Sequence, residues 1–127
     1  EADFLISFEA LEAIRNADML TPEGTALINT QTIIPVTVSS GQQPWIDDLD
    51  ERIERAFQKK LLIDALNAAR AAGNIRTVNM VMTGALSKML EIGDDAWRQA
   101  MQEIIPSKHL EVNLRAFKAG IEAASTL

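Results

Sequence analysis

At 127 residues, with 47% hydrophobic and 24% charged residues, the chain has the size and composition of one soluble domain around one core. Its formal net charge of −6 disfavours nucleic acid, whose phosphates call for a Lys/Arg surface. It has no cysteine, which excludes disulfides, thiol nucleophiles and Cys-ligated iron–sulfur clusters, and its one histidine, His109, excludes a multi-His metal site. No apolar run approaches the roughly 20 residues of a membrane-spanning helix, and the opening Glu-Ala-Asp lacks the basic start of a signal peptide. The expectation is a cytoplasmic protein with no nucleic-acid or membrane partner. The absence of an initiating Met leaves room for sequence upstream.

The chain opens on Phe4-Leu5-Ile6, a short continuous apolar run that predicts a strand buried on both faces, as in parallel sheets. A helix fits Glu9 to Asn16, with Leu11 and Ile14 on one face. Thr21-Pro22-Glu23-Gly24 carries a turn signal, and Thr25 to Asn29 predicts a second buried strand. Thr32 to Val38 is rich in β-branched residues and predicts a third, placed at an edge or irregular because Pro35 cannot donate to a ladder. Ser39 to Pro44 is a loop. Asp47 or Asp48 is expected to cap a helix with Ile46, Leu49, Ile53 and Phe57 inward and Lys59-Lys60 at its C-terminal end. Leu61-Leu62-Ile63 predicts a fourth strand, ending in Asp64.

The remainder is helical in pattern. Asp64 to Ala72 is closed by Gly73-Asn74. Arg76 to Leu90 carries Val78, Val81, Met82, Ala85, Leu86 and Met89 on one broad face. Asp94 is expected to cap a helix bearing Trp97, Met101 and Ile104, broken at Pro106-Ser107. The last helix, from about Lys108 to Ala124, aligns Leu110, Leu114, Phe117, Ile121 and Ala124. Alternating strands and helices followed by helices indicate an α/β fold, a three-layer α/β/α arrangement with a small, mostly parallel sheet and a helical C-terminal half, forming a single domain over residues 1–127. So few strands against so many helices imply that upstream strands of the same fold are absent. A small self-sufficient α/β domain is the alternative.

Several polar residues fall where chemistry is performed in such folds. Asn29, Thr30 and Gln31 follow a buried strand, and open α/β sheets bind ligands beyond the carboxyl ends of their strands. They suit a polar ligand or a partner loop, or equally a turn whose side chains hold their own backbone. Asn74, Arg76 and Asn79 gather at a helix start, where free N–H groups and a guanidinium fork favour an anion. Simple capping by Asn74 with a solvated Arg76 accounts for the same pattern. Asp64 fits an N-cap better than a functional carboxylate. Gly84, inside a helical pattern at a cost of about 1 kcal/mol relative to Ala, points to close backbone approach. Asn113 lies on the apolar stripe of the last helix and is expected to tie that helix to a loop. The methionines read as core or interface filler. No nucleophile, acid/base pair, metal site or nucleotide fingerprint emerges, so no catalytic residue and no bound cofactor are expected in this chain.

Ala2-Asp3-Phe4-Leu5-Ile6-Ser7-Phe8-Glu9-Ala10-Leu11-Glu12-Ala13-Ile14-Arg15, then Gly24-Thr25 to Asn29-Thr30-Gln31 and Pro35, form an ordered series of short motifs. Asp64-Ala65, Ala68-Ala69 and Gly73-Asn74 through Arg76-Thr77-Val78-Asn79 continue it, followed by Thr83-Gly84-Ala85-Leu86 and Glu111 to Gly120. In that order they resemble the gamma domain of pyruvate and other 2-oxoacid:ferredoxin oxidoreductases, with the beta subunit of the indolepyruvate class the nearest in pattern. Members of that family begin with a strand and a GxGGxG-like loop that have no counterpart here, which implies that about the first third of the domain is absent. The resemblance implies a non-catalytic part of a multi-subunit enzyme that decarboxylates a 2-oxoacid on thiamine diphosphate. Electrons pass through iron–sulfur clusters to ferredoxin, and the acyl group goes to coenzyme A. The cofactors would lie elsewhere in the complex, the partners would be the thiamine-binding catalytic subunits and, indirectly, ferredoxin, and this domain would help shape coenzyme A access. The competing readings are a free-standing anion-binding or assembly module without redox activity and, more remotely, an independent small enzyme.

Overall fold

The computed structural model describes residues 1–32, 36–45 and 47–125. The chain forms two compact units, Glu1–Leu62 and Ile63–Leu127.

The first unit is built on strands β1 (Ala2–Ser7), β2 (Leu20–Asn29) and β3 (Lys59–Ile63), which form one sheet in the order β1-β2-β3. Helices α1 (Ala10–Arg15), α2 (Val36–Ser39) and α3 (Leu49–Ala56) lie between them in sequence. β1 and β2 run parallel, with Leu5 opposite Ala26 and Ser7 opposite Ile28. Strand side chains alternate between faces, so Leu5, Ala26 and Ile28 share one face. That face packs with Ala10 and Ala13 of α1 and with Ile53 and Phe57 of α3. Phe57 is 1% exposed, and burying such a side chain is worth about 1.5–3 kcal/mol. The α/β class read from the sequence therefore holds, with a small parallel sheet.

Four expectations for this unit are corrected. β1 is not buried on both faces: Phe4 and Ile6 are 39% and 36% exposed, because alternation turns only Leu5 and Ser7 toward the helices and β1 is the edge of the sheet. The turn expected at Thr21–Gly24 is instead part of β2. The register jumps there, from Ala2 opposite Leu20 to Phe4 opposite Thr25, so Pro22 and Gly24 sit in an irregularity that asks no ladder bond of the proline. The strand expected over Thr32–Val38 does not form among the described residues; Val36–Ser39 is a helical turn, while Ile33, Ile34 and Pro35 lie outside the described residues. β-branched residues favour strands only where a ladder is available to them. Lys59-Lys60 opens β3 rather than ending α3, although the Lys60 ammonium still reaches back to the Phe57 carbonyl at 3.1 Å.

The second unit is helical. It comprises α4 (Ala65–Ala72), a 3-10 turn at Ile75–Thr77, α5 (Val78–Ser87), α6 (Asp94–Ile104) and α7 (Ser107–Ser125). α4 ends at Gly73, whose φ of 122° only glycine adopts without strain, and the Gly73 and Asn74 N–H groups close on the Ala69 carbonyl. The helix expected over Arg76–Leu90 is shorter than its apolar pattern, because Asn74 first nucleates the 3-10 turn. Asp94 is not the cap of α6: Gly93 holds that position and Asp94 lies in the first turn, where its charge suits the helix dipole. Ile104, expected on the inner face, is 79% exposed.

α5 and α7 pack backbone to backbone. A methyl group at Gly84 would run into the Phe117 carbonyl, and one at Gly120 into the Val81 carbonyl. The buried residues on either side are Val81, Met82 and Ala85 of α5 and Ala116 and Phe117 of α7. Gly84→Ala should therefore destabilise the chain by about 2–3 kcal/mol despite the better helix propensity of alanine, the cost of overpacking exceeding the gain. Urea unfolding followed by circular dichroism measures it; a variant as stable as the parent would remove the close approach from the account of this fold.

Candidate functional site

At the carboxyl end of the β1–β2 pair the chain builds a polar collar. Asn29 ends β2 fully buried, and its side-chain amide donates to the Phe8 carbonyl at 3.1 Å. The Gln31 carbonyl accepts the Ala10 N–H at 3.1 Å. Ser7, 7% exposed, donates its hydroxyl to the Glu9 carbonyl at 2.6 Å. These bonds fix the turn from β1 into α1 and satisfy backbone groups that would otherwise be buried without partners. The Thr30 and Gln31 side chains remain exposed at this rim. The collar presents hydroxyl and amide groups, suited to a neutral polar contact. Ser7 escaped the sequence reading because a serine inside an apolar run signals nothing until the register places it.

Asn74, Arg76 and Asn79 lie in the second unit. Asn74 accepts the Arg76 N–H through its side-chain oxygen at 2.9 Å, and its carbonyl takes the Thr77 hydroxyl at 2.7 Å. The Asn79 carbonyl accepts the Thr83 hydroxyl at 2.7 Å. The Arg76 guanidinium is exposed and makes no ion pair among the described residues. Asn74 thus spends its side chain on capping, while Arg76 stays available at the start of the α5 segment. The structure assembles the two groups separately, Asn29–Gln31 in one unit and Asn74–Asn79 in the other.

Asp64 caps α4, accepting the Asn67 N–H at 3.1 Å and the Asn67 side-chain amide at 2.6 Å. Asn113 donates to the His109 carbonyl at 2.8 Å, four residues back in α7, and not to a loop. A helix offers a half-buried amide this carbonyl as its nearest acceptor. Asp48 stands at the N-cap position of α3 without a side-chain cap bond. Its carboxylate instead takes Arg52 at 2.8 Å and Arg55 at 3.6 Å. The Arg52 hydrogen bond, supplemented by the charges of Arg52 and Arg55, holds the Asp48 carboxyl below the ordinary carboxylate range.

A cavity of about 500 Å³ lies between α6 and α7, lined by Asp94, Arg98, Met101 and Gln102 on one side and by Leu114, Arg115, Phe117, Lys118 and Ile121 on the other. Trp97 packs at a tilt against Phe117, with ring centroids 5.7 Å apart and 44° between the planes. Nothing in the local sequence pattern singles out Arg98 or Lys118; only the packing of α6 on α7 brings them to one cavity.

The family described as pyruvate ferredoxin/flavodoxin oxidoreductase matches residues 1–123. The chain belongs to that family. It is 35% identical over 132 residues to indolepyruvate oxidoreductase subunit IorB of Thermococcus kodakarensis and 33% identical to the subunit of the same name from Pyrococcus horikoshii. In both cases the match takes in 100% of this chain and 65% of the relative, so the chain spans somewhat less than two thirds of these relatives' length. Its fold is similar to that of the gamma subunit of a keto/oxoacid ferredoxin oxidoreductase from Geobacter sulfurreducens, with a TM-score of 0.72 at 18% identity over 99% of this chain and 66% of that one. A 2-oxoglutarate:ferredoxin oxidoreductase from Magnetococcus marinus matches with a TM-score of 0.69 at 20% identity, over 100% of this chain and 20% of the other.

The donor set of the chain does not fit the redox cofactors of such enzymes. Without cysteine there is no thiolate for an iron–sulfur cluster. Among the described residues no three His, Cys, Asp or Glu side chains gather to hold a metal ion. Among them, too, no helix is long and apolar enough to cross a membrane.

Asn29→Ala should cost about 1–3 kcal/mol, since it leaves the Phe8 carbonyl without its donor and opens a buried gap; thermal unfolding of the variant measures this, and an unchanged midpoint would reduce the collar to decoration. Asp48→Asn should lower the unfolding temperature near pH 7. Because the folded carboxyl titrates below its unfolded value, the contribution of Asp48 is complete above the unfolded value and fades as pH falls through the folded one. The difference between parent and variant is expected to close in acid, and a difference that persists there would rule out the pairing with Arg52 as its source.

Proposed function

We propose that this chain is the non-catalytic portion of a subunit in a cytoplasmic, multi-subunit 2-oxoacid:ferredoxin oxidoreductase of the indolepyruvate class. The whole enzyme would decarboxylate a 2-oxoacid oxidatively to an acyl-coenzyme A, with thiamine diphosphate and iron–sulfur clusters held by other subunits and electrons passed to ferredoxin. The observation that carries this reading is the family match over residues 1–123, joined to 35% identity with an indolepyruvate oxidoreductase subunit along the whole chain. In that division of labour these 127 residues, which hold no cysteine, would shape and support a site whose redox groups belong to other parts of the complex.

Within that reading the two polar groups have distinct uses. Asn29, Thr30 and Gln31 offer a neutral edge to a partner loop. Arg76, beside Asn74 and Asn79, offers a bidentate cation to a carboxylate or phosphate, whether of a partner side chain or of coenzyme A.

The test is reconstitution. The full-length subunit that carries this sequence is expected to form a stable complex with its thiamine-binding partner in sedimentation velocity, and the isolated chain to show no turnover of indolepyruvate, pyruvate or 2-oxoglutarate. Arg76→Ala should weaken association, or coenzyme A binding by the complex, about tenfold, in keeping with the loss of a charge-assisted hydrogen bond. Full-length proteins that fail to associate would overturn the proposal.

A further inference from the structure

The α6–α7 groove has the form of a helix seat. On α7, Leu114, Phe117 and Ile121 recur at the spacing of one helical face, and Met101 of α6 faces the same cavity of about 500 Å³. Three cations line it, Arg98, Arg115 and Lys118, against one anion, Asp94. Arg115 is committed in part, donating to the Ala72 carbonyl at 2.9 Å and lying 3.5 Å from Glu111. Lys118 is 78% exposed and 4.0 Å from Glu122, and Arg98 makes no ion pair among the described residues.

This excess of positive charge stands out against the sequence around it. Residues 1–62 hold eleven acidic and five basic side chains, whereas residues 63–127 hold seven of each. Trp97, one turn before Met101, sets its ring at 44° to that of Phe117, and its buried indole N–H has no hydrogen-bond partner among the described residues, at a cost in free energy.

We propose that this groove seats an acidic amphipathic helix of the partner subunit, its apolar face on Met101, Leu114, Phe117 and Ile121 and its flanking carboxylates on Arg98 and Lys118. The inference rests on the subunit reading above and adds to it the surface used and the chemistry of the element received. Two turns of apolar stripe match the i, i+3, i+4, i+7 anchors by which a helix binds a groove. The rim charges steer the approach and fix its polarity.

Two measurements test it. These 127 residues hold no cysteine, so Gln102→Cys places a thiol at the groove for a maleimide-linked benzophenone, attached to the subunit before reconstitution and compared with the identically treated parent. On irradiation of the reconstituted complex, the cross-linked peptide is expected to come from the partner subunit, to carry net negative charge and to show helical apolar spacing. Cross-linking to a second copy of this chain, to a basic segment or to nothing overturns the proposal. In parallel, Arg98→Glu with Lys118→Glu should raise the dissociation constant of the complex at least tenfold, while the charge-matched Lys88→Glu with Lys108→Glu leaves it within about twofold. Circular dichroism melts of both double variants confirm folding. If the parent proteins do not associate at all, the subunit reading itself fails and this inference with it. If they associate and the groove variant binds as tightly as the parent, only this inference falls.

Discussion

The second unit depends on one constraint, the approach of α5 and α7 until backbone meets backbone at Gly84 and Gly120. Close contact between helices needs residues without side-chain bulk, and each of these glycines faces a carbonyl of the opposite helix, Phe117 in one case and Val81 in the other. The reciprocity fixes both the rotation and the register of α7. With one face of α7 pressed on α5, Leu114, Phe117 and Ile121 are left to line the cavity shared with α6. A bulkier residue at either glycine would force the two helices apart, so the packing of α7 and the face it presents to α6 come from the same two positions.

The first unit rests on a different economy. Its parallel pair is short, and its core comes from alanines and a few large residues, Ile28, Ile53 and Phe57. Order at the carboxyl end of the sheet comes from hydrogen bonds to the backbone, made by Asn29, Ser7 and the Gln31 carbonyl. Such bonds contribute little apiece, yet leaving their buried acceptors unmade is expensive. The collar is therefore uncharged and tied to the backbone by its own hydrogen bonds.

Some of this was legible because it depended on near neighbours. The Asp64 cap and the Gly73 stop of α4 need residues within four positions of each other, and both stand where the sequence placed them. Gly84 announced a close contact simply by being a glycine in a helix. Other expectations failed where a distant partner decided the outcome. Pro22 and Gly24 signalled a turn, but β1 offered a register jump that accommodates them inside β2. The β-branched residues from Val36 onward had no ladder to join and took a helical turn. Asp48 holds the N-cap position of α3 as expected, but its carboxylate pairs with Arg52 and Arg55 instead of bonding the helix N–H groups, and the α6 cap falls to Gly93 in place of Asp94.

The sequence by itself determined the family, the α/β class, the lack of thiolate ligands and most of the helices, since composition, ordered motifs and 3.6-residue periodicity are properties of the chain alone. Tertiary structure decided which face of β1 is covered, that the Asn29 amide meets the Phe8 carbonyl while Arg76 makes no ion pair among the described residues, and that Arg98 and Lys118 flank an apolar groove. Each of these depends on which segments are brought together across space. Pairing and packing are settled by burial and hydrogen-bond satisfaction between segments remote along the chain, and local pattern carries no record of them.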